Sequence, residues 1–88
     1  MSSKKERNNF VYTKHIEERM KERGITRDDV KMAVRNPTYE KSCGWSKKSF
    51  RELEIIGANV KKTLVVIWCW NKNQLIIQTA YHAFIKFK

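Results

Sequence analysis

Cysteine, acidic residues and long apolar runs are all scarce in this 88-residue chain, and each shortage excludes a class of protein. Two cysteines, Cys43 and Cys69, are too few for a disulfide framework and indicate reduced thiols in a cytoplasmic protein. The polar first nine residues lack the apolar core of a signal peptide, which agrees with that location. The longest apolar run, over residues 64–70, is too short to span a bilayer, so we expect no membrane partner.

The shortage of acidic residues leaves a large excess of positive charge. Nineteen Lys and Arg face nine Asp and Glu, for a formal net charge of +10. This balance favours a polyanionic partner, with nucleic acid ahead of an anionic membrane surface. With 41% hydrophobic residues, the chain still has enough apolar side chains for one domain with a modest core.

The chain is predicted to consist of a disordered basic tail over residues 1–9 and a single domain over residues 10–88. Phe10, Val11 and Tyr12 form a short apolar segment that is a candidate edge strand, and two helices are predicted after it. Thr13 can cap a helix over residues 14–23. Thr26 begins a second helix, with Asp29 at the capping-box position, and Asn36-Pro37 ends it.

The second half of the chain is predicted to be β. Strands are expected over residues 39–43, 50–56, 63–70 and 74–81, with a short additional strand over residues 82–88. Asn71-Lys72-Asn73 is typical of a hairpin turn. The order of elements predicts an α+β fold with two N-terminal helices packed on a curved antiparallel β-sheet of about four strands.

One polar stripe on the first predicted helix can do chemistry. His15, Arg19 and Arg23 stand four residues apart and therefore lie one turn above the other. The imidazole can accept or donate a proton near neutral pH, and the guanidiniums can bind a phosphate, which suits phosphodiester cleavage. Alternatively, these side chains are solvated and paired with the interleaved Glu18 and Glu22.

A second candidate group lies on the last long strand. By strict alternation Thr79 and Tyr81 share a face with Leu75 and Ile77, at the far end of the core. Two hydroxyls at the edge of a core can form part of a site. The alternative is that Thr and Tyr are simply good strand formers with one hydrogen bond each.

Basic residues interleaved with aromatic ones form a third group between the helices and the central strand. Cations bind phosphates and rings stack on unpaired bases, so the group is a candidate nucleic-acid surface. Its candidate contact residues are Lys41, Trp45, Lys47, Lys48 and Arg51. The alternative is a mobile, solvated loop with one aromatic side chain in the core.

Metal and cofactor chemistry is not expected. The two Cys and two His are too far apart in sequence for the spacing of a zinc site. The chain also lacks a phosphate-binding Gly-rich loop, a paired acidic site and a nucleophile elbow around a Ser.

The helical segment resembles a known family. Residues 13–40, TKHIEERMKERGITRDDVKMAVRNPTYE, followed by strands ending in IIQTAY, resemble the small bacterial family called domain of unknown function 4258. The resemblance covers about residues 12–81. This chain has Ile16 where Ala is usual in the family and Thr26 where Ser is common, and both are mild departures.

The resemblance implies a fold and an activity. The family is similar to small ribonuclease toxins of the barnase, EndoU, colicin and RelE type, and its suspected active residues match His15, Arg19 or Arg23, Thr79 and Tyr81. On this basis we expect a metal-independent endoribonuclease, the toxin of a toxin–antitoxin or contact-inhibition system. His15 would act as general base on the ribose 2′-hydroxyl, and the products would be a 2′,3′-cyclic phosphate and a 5′-hydroxyl.

Such a toxin would need an acidic antitoxin or immunity protein to cover its basic face. Two other functions stay open. The chain can be a non-catalytic RNA- or DNA-binding module, for which RNA would be bound but never cut. It can also be a basic protein-interaction domain, for which no nucleic acid would bind.

Overall fold

The computed structural model describes residues 9–86 of the chain. In chain order the elements are β1 (Phe10–Tyr12), α1 (Lys14–Glu22), α2 (Arg27–Arg35), β2 (Tyr39–Cys43), β3 (Ser46–Ile55), β4 (Val60–Asn71) and β5 (Gln74–Lys86). The disordered tail predicted over residues 1–9 lies outside the described residues except for Asn9. The last two residues of the predicted final strand, Phe87 and Lys88, also lie outside the described residues.

The five strands form one mixed sheet in the order β1-β5-β4-β3-β2. Strands β2 to β5 form an antiparallel meander, and β1 pairs in parallel with β5. The α+β class is confirmed, but the prediction of N-terminal helices on an antiparallel sheet of about four strands is wrong. A strand precedes the helices and adds a fifth, parallel member. Residues 10–12 are a candidate edge strand in the sequence, but three residues are too few to predict the parallel pairing with β5.

Both helices begin as the sequence predicts. The Thr13 hydroxyl accepts a hydrogen bond from the Ile16 N–H at the start of α1. A capping box formed by Thr26 and Asp29 starts α2. Between the helices, Gly24 has a φ of +69°, the left-handed conformation that ends a helix at low cost in glycine.

The helices pack on one face of the sheet and form the core there. Its buried members are Ile16, Met20, Ile25, Val30, Ala33 and Val34 from the helical half, and Leu64, Val66, Trp68, Leu75, Ile77 and Ala80 from the sheet. Among residues 9–86 no helix covers the other side of the sheet, which we call the open face.

Strand β5 is longer than predicted and is bulged. Residues 82–86 continue β5 beside β4 instead of forming a separate strand. The register shifts in the middle, because Trp68 pairs with Ile77 whereas Ile67 pairs with Thr79. Gln78 is therefore an extra residue on β5, and the phase of the strand changes there.

Candidate nucleic-acid interface

The bulge at Gln78 decides where Thr79 and Tyr81 point. Directly paired residues of an antiparallel sheet share a face, and Ala80 pairs with Val66 in the helix-covered core. Thr79 and Tyr81 therefore belong to the open face. The prediction that they share a face with Leu75 and Ile77 is wrong, because it assumed unbroken alternation through Gln78.

A side-chain contact agrees with the assignment of Thr79 and Tyr81 to the open face. The Ser46 hydroxyl donates a hydrogen bond to Oε1 of Gln78 at 2.6 Å, across the intervening strand β4. Ser46 pairs with Cys69, whose neighbours Trp68 and Trp70 contact the helix-covered core. Ser46 and Gln78 thus meet on the open face, beside Thr79.

The His–Arg stripe of α1 lies on the other side of the molecule. His15 and Arg19 are exposed on α1, which packs against the helix-covered face. Arg23 ends the helix, and its Nη1 donates a hydrogen bond to the backbone oxygen of Ala80 at 2.8 Å. The structure therefore does not bring His15 together with Thr79 and Tyr81, because the sheet lies between them.

Two cross-strand rows on the open face bring other predicted residues together. One row runs Lys41, Lys48, Ile67, Thr79, and the next runs Tyr39, Phe50, Val65, Tyr81. Each row crosses four strands and therefore spans about 14 Å. The first row offers two cations and a hydroxyl, and the second offers three aromatic rings.

The aromatic row has buried residues in its middle and more exposed rings at its two ends. The rings of Tyr39 and Phe50 stack with their centroids 4.5 Å apart and their planes 12° apart. Phe50 and Val65 are buried, whereas Tyr39 is 38% exposed and Tyr81 is half-buried. Such rings present flat surfaces to a bound base while their neighbours hold them in place.

The predicted basic surface between β2 and β3 divides between the two faces. Lys41 and Lys48 lie on the open face. Lys47 pairs with Trp68, and Arg51 pairs with Leu64, so both belong to the helix-covered side. Arg51 Nη1 donates to the backbone oxygen of Asn36 at 2.6 Å and so joins β3 to the end of α2.

Trp45 projects from the turn between β2 and β3. Its side chain is 97% exposed, the largest exposure of any large hydrophobic residue in the described chain. The turn contains Gly44 at a φ of +62°, where other residues are strained. Trp45 therefore stands exposed at the end of the β2–β3 hairpin, as a stacking residue for an unpaired base would.

His82 lies outside the open-face rows. It pairs with Leu64 on the helix-covered side and is half-buried, two residues beyond the Ala80 carbonyl that Arg23 contacts. Burial lowers the pKa of His82, the nearby Lys62 charge lowers it further, and Asp29 raises it in part. Only the pairing register reveals this position, so no local sequence signal could have found it.

Residues 9–86 do not cluster potential metal ligands. They contain no group of three or more His, Cys, Asp or Glu side chains arranged to hold a metal ion. Cys43 and Cys69 are free thiols. Neither of the two described helices is long and apolar enough to cross a membrane.

Comparison with known proteins identifies a family for this chain. The family model described as Domain of unknown function (DUF4258) matches residues 12–82. Neither the curated proteins nor the solved structures gave a significant match.

Proposed function

Since the chain belongs to the DUF4258 family, whose name states no activity, we propose a function from the geometry of its open face: the protein binds single-stranded RNA there. One observation carries the proposal. The row of Lys41, Lys48 and Thr79 lies beside the row of Tyr39, Phe50 and Tyr81 on a face that no described helix covers.

The chemistry of the two rows suits a single strand. Lys ammonium groups neutralise phosphates and release counterions, while aromatic rings stack on unpaired bases of any sequence. The net charge of +10 attracts a polyanion to the whole surface. The rows then determine where on that surface the strand binds, because they place a cation and a ring two residues apart on both β2 and β3.

Fluorescence anisotropy with a labelled single-stranded RNA tests the proposal. Replacing both Lys41 and Lys48 by Ala should weaken binding by about 100-fold, because each of the two charge-assisted contacts contributes about 1.5 kcal/mol. The slope of log K against log salt should fall by about 0.7 for each lost phosphate contact. The matched control replaces Lys14 and Lys21, both exposed on α1, and removes the same charge. Equal losses in the two double variants would disprove the open-face site.

A second candidate function is cleavage of the bound RNA. The observation that favours it is that Thr79 and Tyr81, the hydroxyl residues indicated by the family resemblance, share the open face with Lys41 and Lys48. Glu52 pairs with Thr63 one row further on, so the open face also carries a carboxylate.

These groups support a metal-independent transesterification. The 2′-oxygen attacks the phosphorus while its proton passes to the Glu52 carboxylate, and the bond to the 5′-oxygen breaks. The Tyr81 phenol donates a proton to the leaving oxygen, and Lys48 neutralises the charge that develops on the phosphate. The products are a 2′,3′-cyclic phosphate and a 5′-hydroxyl. In this scheme His15 takes no part, since it lies beyond the sheet.

RNA incubated with the protein in EDTA, followed by analysis of product ends, tests cleavage. Tyr81→Phe and Glu52→Gln should each lower the rate by about 100-fold or more, whereas His15→Ala should cleave as wild type. Loss of cleavage only in His15→Ala would overturn the open-face mechanism. RNA binding without cleavage would leave a binding module. If the protein cleaves RNA, a toxin role and an acidic antitoxin or immunity protein become the next predictions to test.

A further inference from the structure

The outer edge of β5 is paired over only part of its length. β1 covers that edge at Leu75, Ile76 and Ile77 and then ends. β5 continues to Lys86. Among residues 9–86 no strand pairs with this edge beyond Ile77. The second half of β5 is therefore a sheet edge with backbone groups available for another strand.

Hydrogen bonds on either side of the bulge show which backbone groups point outward. The Leu75 N–H bonds to the Asn9 oxygen beside β1, and the Ala80 oxygen accepts from Arg23. The N–H and C=O groups of one residue point to the same edge, and successive residues alternate. The outward backbone groups beyond Ala80 are therefore those of His82, Phe84 and Lys86.

We propose that this edge, residues 82–86, binds an extended acidic segment of a partner protein, which adds to the sheet as a further strand. Strand addition to an exposed edge draws its affinity from main-chain hydrogen bonds and its specificity from alternate side chains. The edge offers about 17 Å of backbone, the length of an ordinary strand. The site lies apart from the open-face rows and does not depend on RNA binding.

The side chains along the edge indicate the character of the partner. Phe84 is 63% exposed, and Lys62 is its cross-strand neighbour. Lys86 is exposed two residues further along the same face. A partner strand with an apolar residue opposite Phe84 and acidic residues near the two lysines would complement this surface.

The net charge disfavours the simplest other occupant. A second copy of this chain would bring +10 against +10, and like charges across an interface are unfavourable. An acidic partner gains from the same charge. The partner is therefore a different protein with an acidic, strand-forming segment.

Amide hydrogen exchange of the free protein tests whether the edge is available. The amides of Tyr81, Ala83 and Ile85 point toward β4 and should exchange slowly. Those of His82, Phe84 and Lys86 should exchange at least about tenfold faster. Uniform slow exchange of all six amides at low protein concentration would overturn the proposal, because the edge would already be occupied.

A synthetic peptide of about ten residues that alternates Val and Glu is the partner probe. It should slow exchange at His82, Phe84 and Lys86 and should bind about tenfold more tightly than the same peptide with Lys in place of Glu. The Lys41→Ala, Lys48→Ala double variant should bind the peptide as wild type, which separates this site from the RNA site. Failure of the acidic peptide to protect these amides, or equal binding of the basic peptide, would overturn the proposal.

Two substitutions at Phe84 distinguish the contribution of its backbone N–H to peptide binding from the contribution of its ring. Phe84→Pro removes the outward N–H without removing any hydrogen bond to β4, and proline is tolerated on such edges. Phe84→Ala keeps the N–H and removes the ring. Pro should weaken peptide binding about tenfold more than Ala, with the thermal unfolding midpoints of the two variants compared as a check on folding. Equal affinities of the two variants would exclude strand addition. Sedimentation showing a dimer that protects the same amides would replace the acidic partner by a second copy.

Discussion

The guanidinium of Arg23 holds the backbone oxygen of Ala80, 57 residues later in the chain, at a donor–acceptor distance of 2.8 Å. This contact joins the end of α1 to the free edge of β5. It satisfies a carbonyl that no strand of residues 9–86 reaches. All three residues of the His–Arg stripe are exposed, but Arg23 has a hydrogen-bond partner in the sheet.

Replacing Arg23 by Ala should lower the free energy of unfolding by about 1–2 kcal/mol, because a part-buried carbonyl loses a charged donor. Urea unfolding followed by circular dichroism measures the change. Arg19→Ala is the matched control from the same helix and should change stability by no more than about 0.5 kcal/mol. Equal effects of the two substitutions would contradict a structural role for the Arg23 contact.

The helices could be predicted because their signals are local. Thr26 and Asp29 lie three residues apart and form the capping box wherever the helix packs. The hairpin turn is also local, and its central residue, Lys72, takes the positive φ of +58°. Strand β1 is visible locally only as a short apolar segment, and its place in the sheet has no local signal because its pairing with β5 joins residues more than sixty positions apart.

The sequence predicts which residues belong to the candidate site but not how they are grouped in space. Lys41, Lys48, Thr79 and Tyr81 were all named from sequence, and the structure places them on one face. Their grouping could not be foreseen, because one bulge at Gln78 reverses the phase of every later residue on β5. Consecutive apolar residues before the bulge leave that phase ambiguous in the sequence.

A buried polar chain in the sheet yields the second prediction. The Trp68 indole Nε1–H donates to the Ser49 hydroxyl at 2.9 Å, and that hydroxyl donates to Glu40 Oε2 at 2.7 Å. Both Trp68 and Ser49 have 0% exposure. Ser49→Ala should therefore lower the free energy of unfolding by about 1–3 kcal/mol, because it removes the Ser49 hydroxyl that accepts from the buried indole N–H.

A double-mutant cycle isolates that contact. Trp68→Phe removes the donor, so Ser49→Ala should cost less in the Trp68→Phe background than in wild type. The difference should be about 1 kcal/mol, measured by urea unfolding. Strict additivity of the two substitutions would show that the hydrogen bond does not contribute to stability.

His82 predicts a dependence of stability on pH. Burial, followed by the Lys62 charge, lowers the pKa of His82 below its ordinary value of 6.5. Between the folded and unfolded values the unfolded chain binds more protons, so the free energy of unfolding falls as pH falls. The contribution of neutral His82 is complete above about pH 6.5 and is lost as pH drops through that value toward the folded pKa.

The His15→Gln variant makes this measurement specific, since the chain has two histidines and His82 is then the only imidazole. Urea unfolding between about pH 7.5 and about pH 5 should show stability decreasing toward the lower value. Adding His82→Gln should remove most of that decrease. An unchanged pH profile in the double variant would mean that His82 is not the group responsible.

Deleting Gln78 tests the bulge that creates the open-face site. Without Gln78, Ile77 and Thr79 become neighbours and still pair with Trp68 and Ile67, so every side chain keeps its face. The deletion variant should therefore unfold cooperatively. Its free energy of unfolding should be lower by about 1 kcal/mol, because the hydrogen bond from Ser46 is lost. Deleting Val66 instead shifts the phase of a strand that is paired on both sides, and this control should fail to fold. If the Gln78 deletion were as damaging as the control, the bulge would be required for folding, and the faces assigned to Thr79 and Tyr81 would lose their support.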